Sequence, residues 1–141
     1  MRAEIASLRD SVRDAYSLAA LRPGERHPFP VGRDFAASVG YKEELLRRMP
    51  LPAVEAFTGV WNVSIFAEIP AGTAVVDLGC GAGLDTLIAA RRAGPQGRVL
   101  GIDFSLTMLE RATGSSRVLG AANVAFVRAD AERLPVASAS V

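Results

Sequence analysis

The stretch VVDLGCGAGLD, Val75 to Asp85, decides the fold. A short apolar, β-branched run reaches an acid at Asp77 and then meets glycines at Gly79, Gly81 and Gly83. The segment that follows, ending IAARRAG, has a helical pattern, so the stretch predicts a strand, a tight turn and a helix. The same texture repeats outward. RVLGID reads as a second strand, LTMLERA as a second helix and NVAFVRAD as a third strand. Gly94, Pro95 and Gly97 break the first helix, and Gly114 and Gly120 punctuate the next connection. Strands alternating with helices predict an α/β fold, here the first three strands of a doubly wound, Rossmann-like parallel sheet.

Upstream of the strand the pattern is helical. Ile5, Leu8, Val12 and Tyr16 recur at three- and four-residue steps, which predicts an amphipathic helix over roughly residues 3 to 20. LRPGERHPFPVGRD holds three prolines and two glycines and reads as loop. Shorter helices are expected from Asp34, as N-cap, to Val39, over YKEELLRRM up to Pro50, and over Pro52 to Phe57. Trp61 to Phe66 fits helix or strand. The tail VASASV is small and polar.

Composition narrows the class. The chain has 141 residues, half of them hydrophobic and 22% charged, which reads as one soluble globular unit. Its 16 basic and 15 acidic residues leave +1, so no nucleic acid partner is implied. Cys80 is the only cysteine, which excludes an intramolecular disulfide and a Cys-rich metal site; no metal is expected. The start, MRAEIASLRD, lacks the apolar core of a signal peptide, and no run is long enough to span a membrane. A cytoplasmic location is the expectation.

In an open parallel sheet, ligands sit beyond the carboxyl ends of the strands. Gly79, Cys80, Gly81, Ala82 and Gly83 lie there, and the glycines allow close backbone approach. The dinucleotide fingerprint G-x-G-x-x-G would need glycine where Leu84 stands, and the Gly-Lys-Ser/Thr ending of a phosphate loop is absent. Asp77 would repel a pyrophosphate but suits an ammonium, which favours a cofactor with an amino-acid tail. Asp103, expected to end the second strand, stands twenty positions after Gly83, where a carboxylate accepts from both ribose hydroxyls. Asp130, expected to end the third, is placed to accept from an exocyclic adenine amine.

VVDLGCGAG, then GIDFS with MLERA, then RADAERLP, resemble the first three motifs of class I S-adenosylmethionine-dependent methyltransferases. The resemblance is strongest to the branch similar to arsenite methyltransferases and ubiquinone/menaquinone-type enzymes, notably in GLDTLIAARRAGPQGRVLGID. GYKEELLRRMP and AFTGVWNVSIFAEIPAG look like its lead-in, so the likeness covers roughly residues 30 to 141. It implies a helical cap over 1–70 and the N-terminal half of a cofactor-binding domain over 71–141. It implies S-adenosylmethionine as cofactor and methyl transfer to a small-molecule acceptor. Asp77 and the backbone of Gly79, Gly81 and Gly83, with Cys80 in the same turn, would take the methionine moiety. Asp103 would take the ribose hydroxyls, Phe104 the adenine ring, and Asp130 with Ala131 the adenine edge.

Two departures shape the expectation. Arsenite methyltransferases carry a cysteine where Gly59-Val60-Trp61-Asn62 places Val60, and a valine cannot ligate a soft metalloid, so arsenite is not the expected acceptor. Family members also continue past ERLPVASASV with a fourth strand beside the first, whereas this sequence stops at Val141. The chain is therefore expected to be an N-terminal fragment or truncated reading frame whose first strand has an unpaired edge open to self-association. No catalytic residue is named, because the acceptor side of this fold is built from later strands. The competing expectations are a noncatalytic fragment with weak or no cofactor binding and, disfavoured by Leu84, a nicotinamide-dependent dehydrogenase. Cys80 is expected as a turn filler, His27 as a loop residue, Tyr41 and Trp61 as packing residues with cover of the cofactor from the N-terminal side as the alternative, and the Arg47-Arg48 and Arg91-Arg92 pairs as solvated helix faces.

Overall fold

The computed structural model describes residues 1–141, the side chains of Arg2 and Ala3 excepted. The apolar period of the first segment produces α1, Arg2–Leu21, which ends ahead of Pro23. Only its C-terminal half is seated in the core. Ala19 and Ala20 are buried with Ala56, Ala82 and Met108, flanked by Tyr16 and Phe29, whereas Ile5, Leu8 and Val12 remain exposed.

Three short helices follow: α2, Arg33–Ser38; α3, Glu43–Arg47; and α4, Leu51–Glu55. The expected N-cap Asp34 lies inside the first turn of α2. The cap is Gly32, whose φ of 98° turns the loop into the helix. Pro50 precedes α4 and Pro52 sits in its first turn, where the missing amide donor costs nothing. Trp61 to Phe66 forms neither a strand nor an α-helix: Val63–Ile65 is a single 3-10 turn, pinned where the Ser64 hydroxyl donates to buried Asn62 Oδ1 at 2.5 Å.

The sheet has three parallel strands in the order β1 (Ala74–Leu78), β2 (Arg98–Asp103), β3 (Val124–Arg128). Ala74 stands opposite Arg98, and Asp103 opposite Arg128. The crossovers are α5, Leu84–Ala93, and α6, Leu106–Leu119. Both step the sheet in the same direction, so right-handed connections place both helices on one face. α5 is the hub of the packing. Leu84, Leu87 and Ile88 meet Tyr41, Leu46, Val54 and Phe57 of the lead-in, while Ala89, Ala90 and Ala93 press onto Val99, Val75 and Val124 of the sheet. Leu87 is fully buried, a contribution of about 2 kcal/mol from one side chain. The helical lead-in is thus clamped to the sheet through α5 and α6.

Two expectations need correction. Asp103 ends β2, but Asp130 stands two residues past the end of β3. The ladder gives one more bond, from Ala129 N to Asp103 O, and the chain then turns on Asp130. Its Oδ1 accepts from Glu132 N and its carbonyl from Arg133 N. Nor does Arg92 simply face water: its guanidinium donates to the carbonyls of Ser64 and Ala67 and ties the 3-10 turn to α5. Arg47 and Arg48 do lie on exposed faces, paired with Glu43 and Glu44. Among the described residues no helix is long and apolar enough to cross a membrane.

Candidate functional site

The turn after β1 is built on left-handed backbone, with φ of 71° at Gly79, 53° at Gly81 and 86° at Gly83. The amides of Gly79 and Cys80 both donate to Ile102 O, at 2.8 and 2.9 Å, which holds the turn against the end of β2. The three glycines then differ in role. A Cβ on Gly79 would meet no atom, and one on Gly81 would reach only Met108 Sδ at 4.0 Å, so both leave open space in front of the backbone. A Cβ on Gly83 would fall 2.9 Å from Ala112 Cβ. That glycine lets α5 and α6 approach each other, the role that the dinucleotide fingerprint gives to its third glycine.

Asp103 is buried and braces the turn. Its Oδ2 accepts from Gly81 N and its Oδ1 from Ser105 N, both at 2.8 Å. Each oxygen keeps one further acceptor position. Asp77 accepts from the Thr86 hydroxyl at 2.6 Å, and burial pushes its carboxyl above the ordinary range, with the Asp103 charge adding to the shift. Eight residues further on, Asp85 accepts from the Tyr41 hydroxyl at 2.5 Å. Burial raises Asp85 to about 6, helped by Asp77 and opposed by the Tyr41 bond and Arg92. Burial and the neighbouring carboxylates also push the Cys80 thiol up, away from the thiolate form.

These groups line two adjoining cavities. The first, about 360 Å³, is lined by Tyr16, Asp103 and Phe104, by the turn with Asp77 and Asp85, and by Val60, Trp61 and Val63. The second, about 330 Å³, lies between α1 and the ends of β2 and β3, lined by Leu8, Arg9, Val12, Ile102, Asp130 and Ala131. Gly79, Asp103 and Phe104 belong to both. The fold therefore brings together Asp77, Gly79, Cys80, Gly81, Asp103 and Phe104 in one cavity, and Asp130 and Ala131 with the shared three in the other. Gly83 stands behind the turn.

Sequence reasoning missed Tyr16, Arg9 and the Tyr41–Asp85 pair. Asp85 was legible as an acid in the first turn of α5. No local pattern links Tyr41 to Asp85, or Arg9 to Asp130, which are 44 and 121 residues apart. Trp61, expected as a packing residue or alternatively as cofactor cover, is more than half exposed and lines the first cavity.

A parallel sheet with a glycine turn and strand-end acids opening into one cleft defines a Rossmann-like α/β protein of the nucleotide-binding kind. Comparison with known proteins narrows that class. Residues 69–141 match the family model described as a methyltransferase domain. An arsenite methyltransferase of Halobacterium salinarum is 40% identical over 83 residues, 59% of this chain and 21% of that protein. A demethylmenaquinone methyltransferase of Staphylococcus aureus is 37% identical over 78 residues, 54% of this chain and 32% of that one. The structure of Haemonchus contortus phosphoethanolamine N-methyltransferase 1 aligns over 89% of this chain and 22% of its own at 18% identity, TM-score 0.57, a likeness of fold. The chain belongs to the methyltransferase domain family, among the class I S-adenosylmethionine-dependent methyltransferases. It spans about a fifth to a third of the length of the curated relatives named here.

Proposed function

We propose that this chain forms the methyl-donor half of an enzyme that transfers the methyl group of S-adenosylmethionine to a small molecule. The observation that carries the proposal is the row of Asp77, open-faced Gly79 and Gly81, and Asp103 along one cleft that continues to Asp130. In this assignment residues 71–141 supply the cofactor site and residues 1–70 cap it. Asp77 faces the ammonium, whose charge would relieve the burial that raises its carboxyl. The backbone of Gly79, Cys80 and Gly81 lies along the methionine chain. Asp103 offers its two spare acceptor positions to the ribose hydroxyls while holding the turn, and Phe104, Asp130 and Ala131 border the adenine.

When bound, the sulfonium supplies an already activated methyl group, which leaves alignment and exclusion of water to the protein. Val60, Trp61 and Val63 line the same cavity as Asp77 and Asp85 and are the apolar residues that this assignment gives to the acceptor side. The near-neutral net charge supports a small-molecule acceptor over a polyanion. Arsenite finds no support here: Val60 offers no thiolate, and Cys80 is buried with its thiol protonated.

Titration calorimetry with S-adenosylhomocysteine and with NAD tests the assignment. The homocysteine product should bind the wild-type chain and NAD should not. Gly79→Ala should keep the circular dichroism of the wild type yet lose the binding, because its methyl group would enter the open space before the turn. Binding of NAD alone, or undiminished binding by Gly79→Ala, would overturn the assignment.

A further inference from the structure

α1 combines features that suit a cover more than a core helix. An amphipathic helix normally buries its apolar stripe, yet Leu8 is 66% and Val12 41% exposed. Both residues line the second cavity together with Ile102, Phe104 and Ala131. The C-terminal half of the helix is fixed: Ala19 and Ala20 are buried, and Ser17 Oγ meets Ser105 Oγ at 2.9 Å. The N-terminal half reaches the sheet through Arg9. Its Nη1 lies 3.1 Å from Asp130 Oδ2 and its Nη2 2.6 Å from Glu132 Oε2.

We propose that the N-terminal half of α1 is the outer wall of the nucleoside pocket, with Leu8 and Val12 packing on the purine face opposite Phe104 and with Arg9 as the latch that holds the wall shut. The inference rests on the cofactor assignment above and extends it to residues outside the family-matched segment. A purine seated between α1 and Phe104 would cover the stripe that is otherwise left to water. Arg9 bridges Asp130 and Glu132 at the rim, so a nucleoside entering past α1 must part this ion pair. The pair is about half exposed, and such pairs are weak and screened by salt. That suits a cover which opens readily. Asp130 keeps a role toward the adenine amine, because Arg9 and the Glu132 amide each occupy one position on its two oxygens. Arg9 is accordingly a positioning residue.

The test is the dissociation rate of S-adenosylhomocysteine, measured by stopped flow at about 50 and about 500 mM salt. Arg9→Ala should speed release about five-fold at low salt, the factor that corresponds to roughly 1 kcal/mol. High salt should speed release from the wild type and add little to the variant. Arg9→Glu, which sets a carboxylate against Asp130 and Glu132, should speed release at least as much as Arg9→Ala, and adding Glu132→Arg to it should slow release again, which a merely structural loss would not do. Amide hydrogen exchange across residues 4–13 without ligand reads the latch by itself and should quicken in Arg9→Ala. If the wild type binds the nucleoside but Arg9→Ala changes neither release, its salt dependence nor exchange, the latch is overturned and the cofactor assignment stands. If exchange quickens but the wild type binds no nucleoside, the cofactor assignment fails and takes the pocket wall with it.

Discussion

Gly79 and Gly83 share a left-handed backbone but not a neighbourhood, and the difference separates folding from binding. Alanine at Gly79 meets open space and bears only the cost of its φ, about 1–2 kcal/mol. Alanine at Gly83 adds a methyl–methyl clash with Ala112 and should lose about 2–4 kcal/mol in urea unfolding. The spacing of the three glycines was legible in the sequence, but not which of them packs and which stays open. Asp85 carries a second prediction. Its folded carboxyl sits near 6, above its ordinary 3.8, so the unfolded chain releases this proton first as pH rises. The folded state is therefore favoured below about pH 4 and loses that advantage as pH climbs through 6. Asp85→Asn, still able to accept from Tyr41, should raise stability at pH 7.5 by on the order of 1–3 kcal/mol and change little near pH 4. Thermal denaturation at the two pH values checks both size and sign.

Among the elements, the strand–turn–helix units followed the sequence closely because each carries its own signal: β-branched runs, a glycine turn, an apolar helical face. The segment between Trp61 and Phe66 did not, since six residues of mixed character hold no period long enough to separate helix from strand. A distant side chain settles it. Arg92 reaches from α5 to the carbonyls of Ser64 and Ala67 and holds the 3-10 turn that follows Trp61, which lines the cleft. Arg92→Leu should lower the melting temperature by only a few degrees, since each such hydrogen bond contributes about 1 kcal/mol. It should accelerate amide exchange at residues 62–67 and raise the acrylamide quenching of Trp61, the sole tryptophan. Unchanged exchange there would show that the turn holds itself.

Across the whole molecule, β1 pairs with β2 alone among the described residues, so its other edge carries the backbone donors and acceptors of an apolar strand. Val75 packs on the α5 face, so alternation turns Val76 to the opposite face. Sedimentation velocity should show concentration-dependent association of this chain, and Val76→Lys should suppress it without unfolding, because a lysine on an edge strand obstructs pairing with a second sheet. The sequence by itself determined the alternation of strand and helix, the parallel sheet and the strand-end positions of Asp77 and Asp103, since those depend on residues close along the chain. Tertiary structure decided that Gly83 lets α5 and α6 approach each other, that Asp103 braces the turn, that Asp85 meets Tyr41, and that Arg9 pairs with Asp130. Each of these is a contact between segments apart in sequence, the first two set by how α5, α6 and β2 pack around the turn and the last two by how the lead-in seats on that unit, and a local pattern carries no record of it.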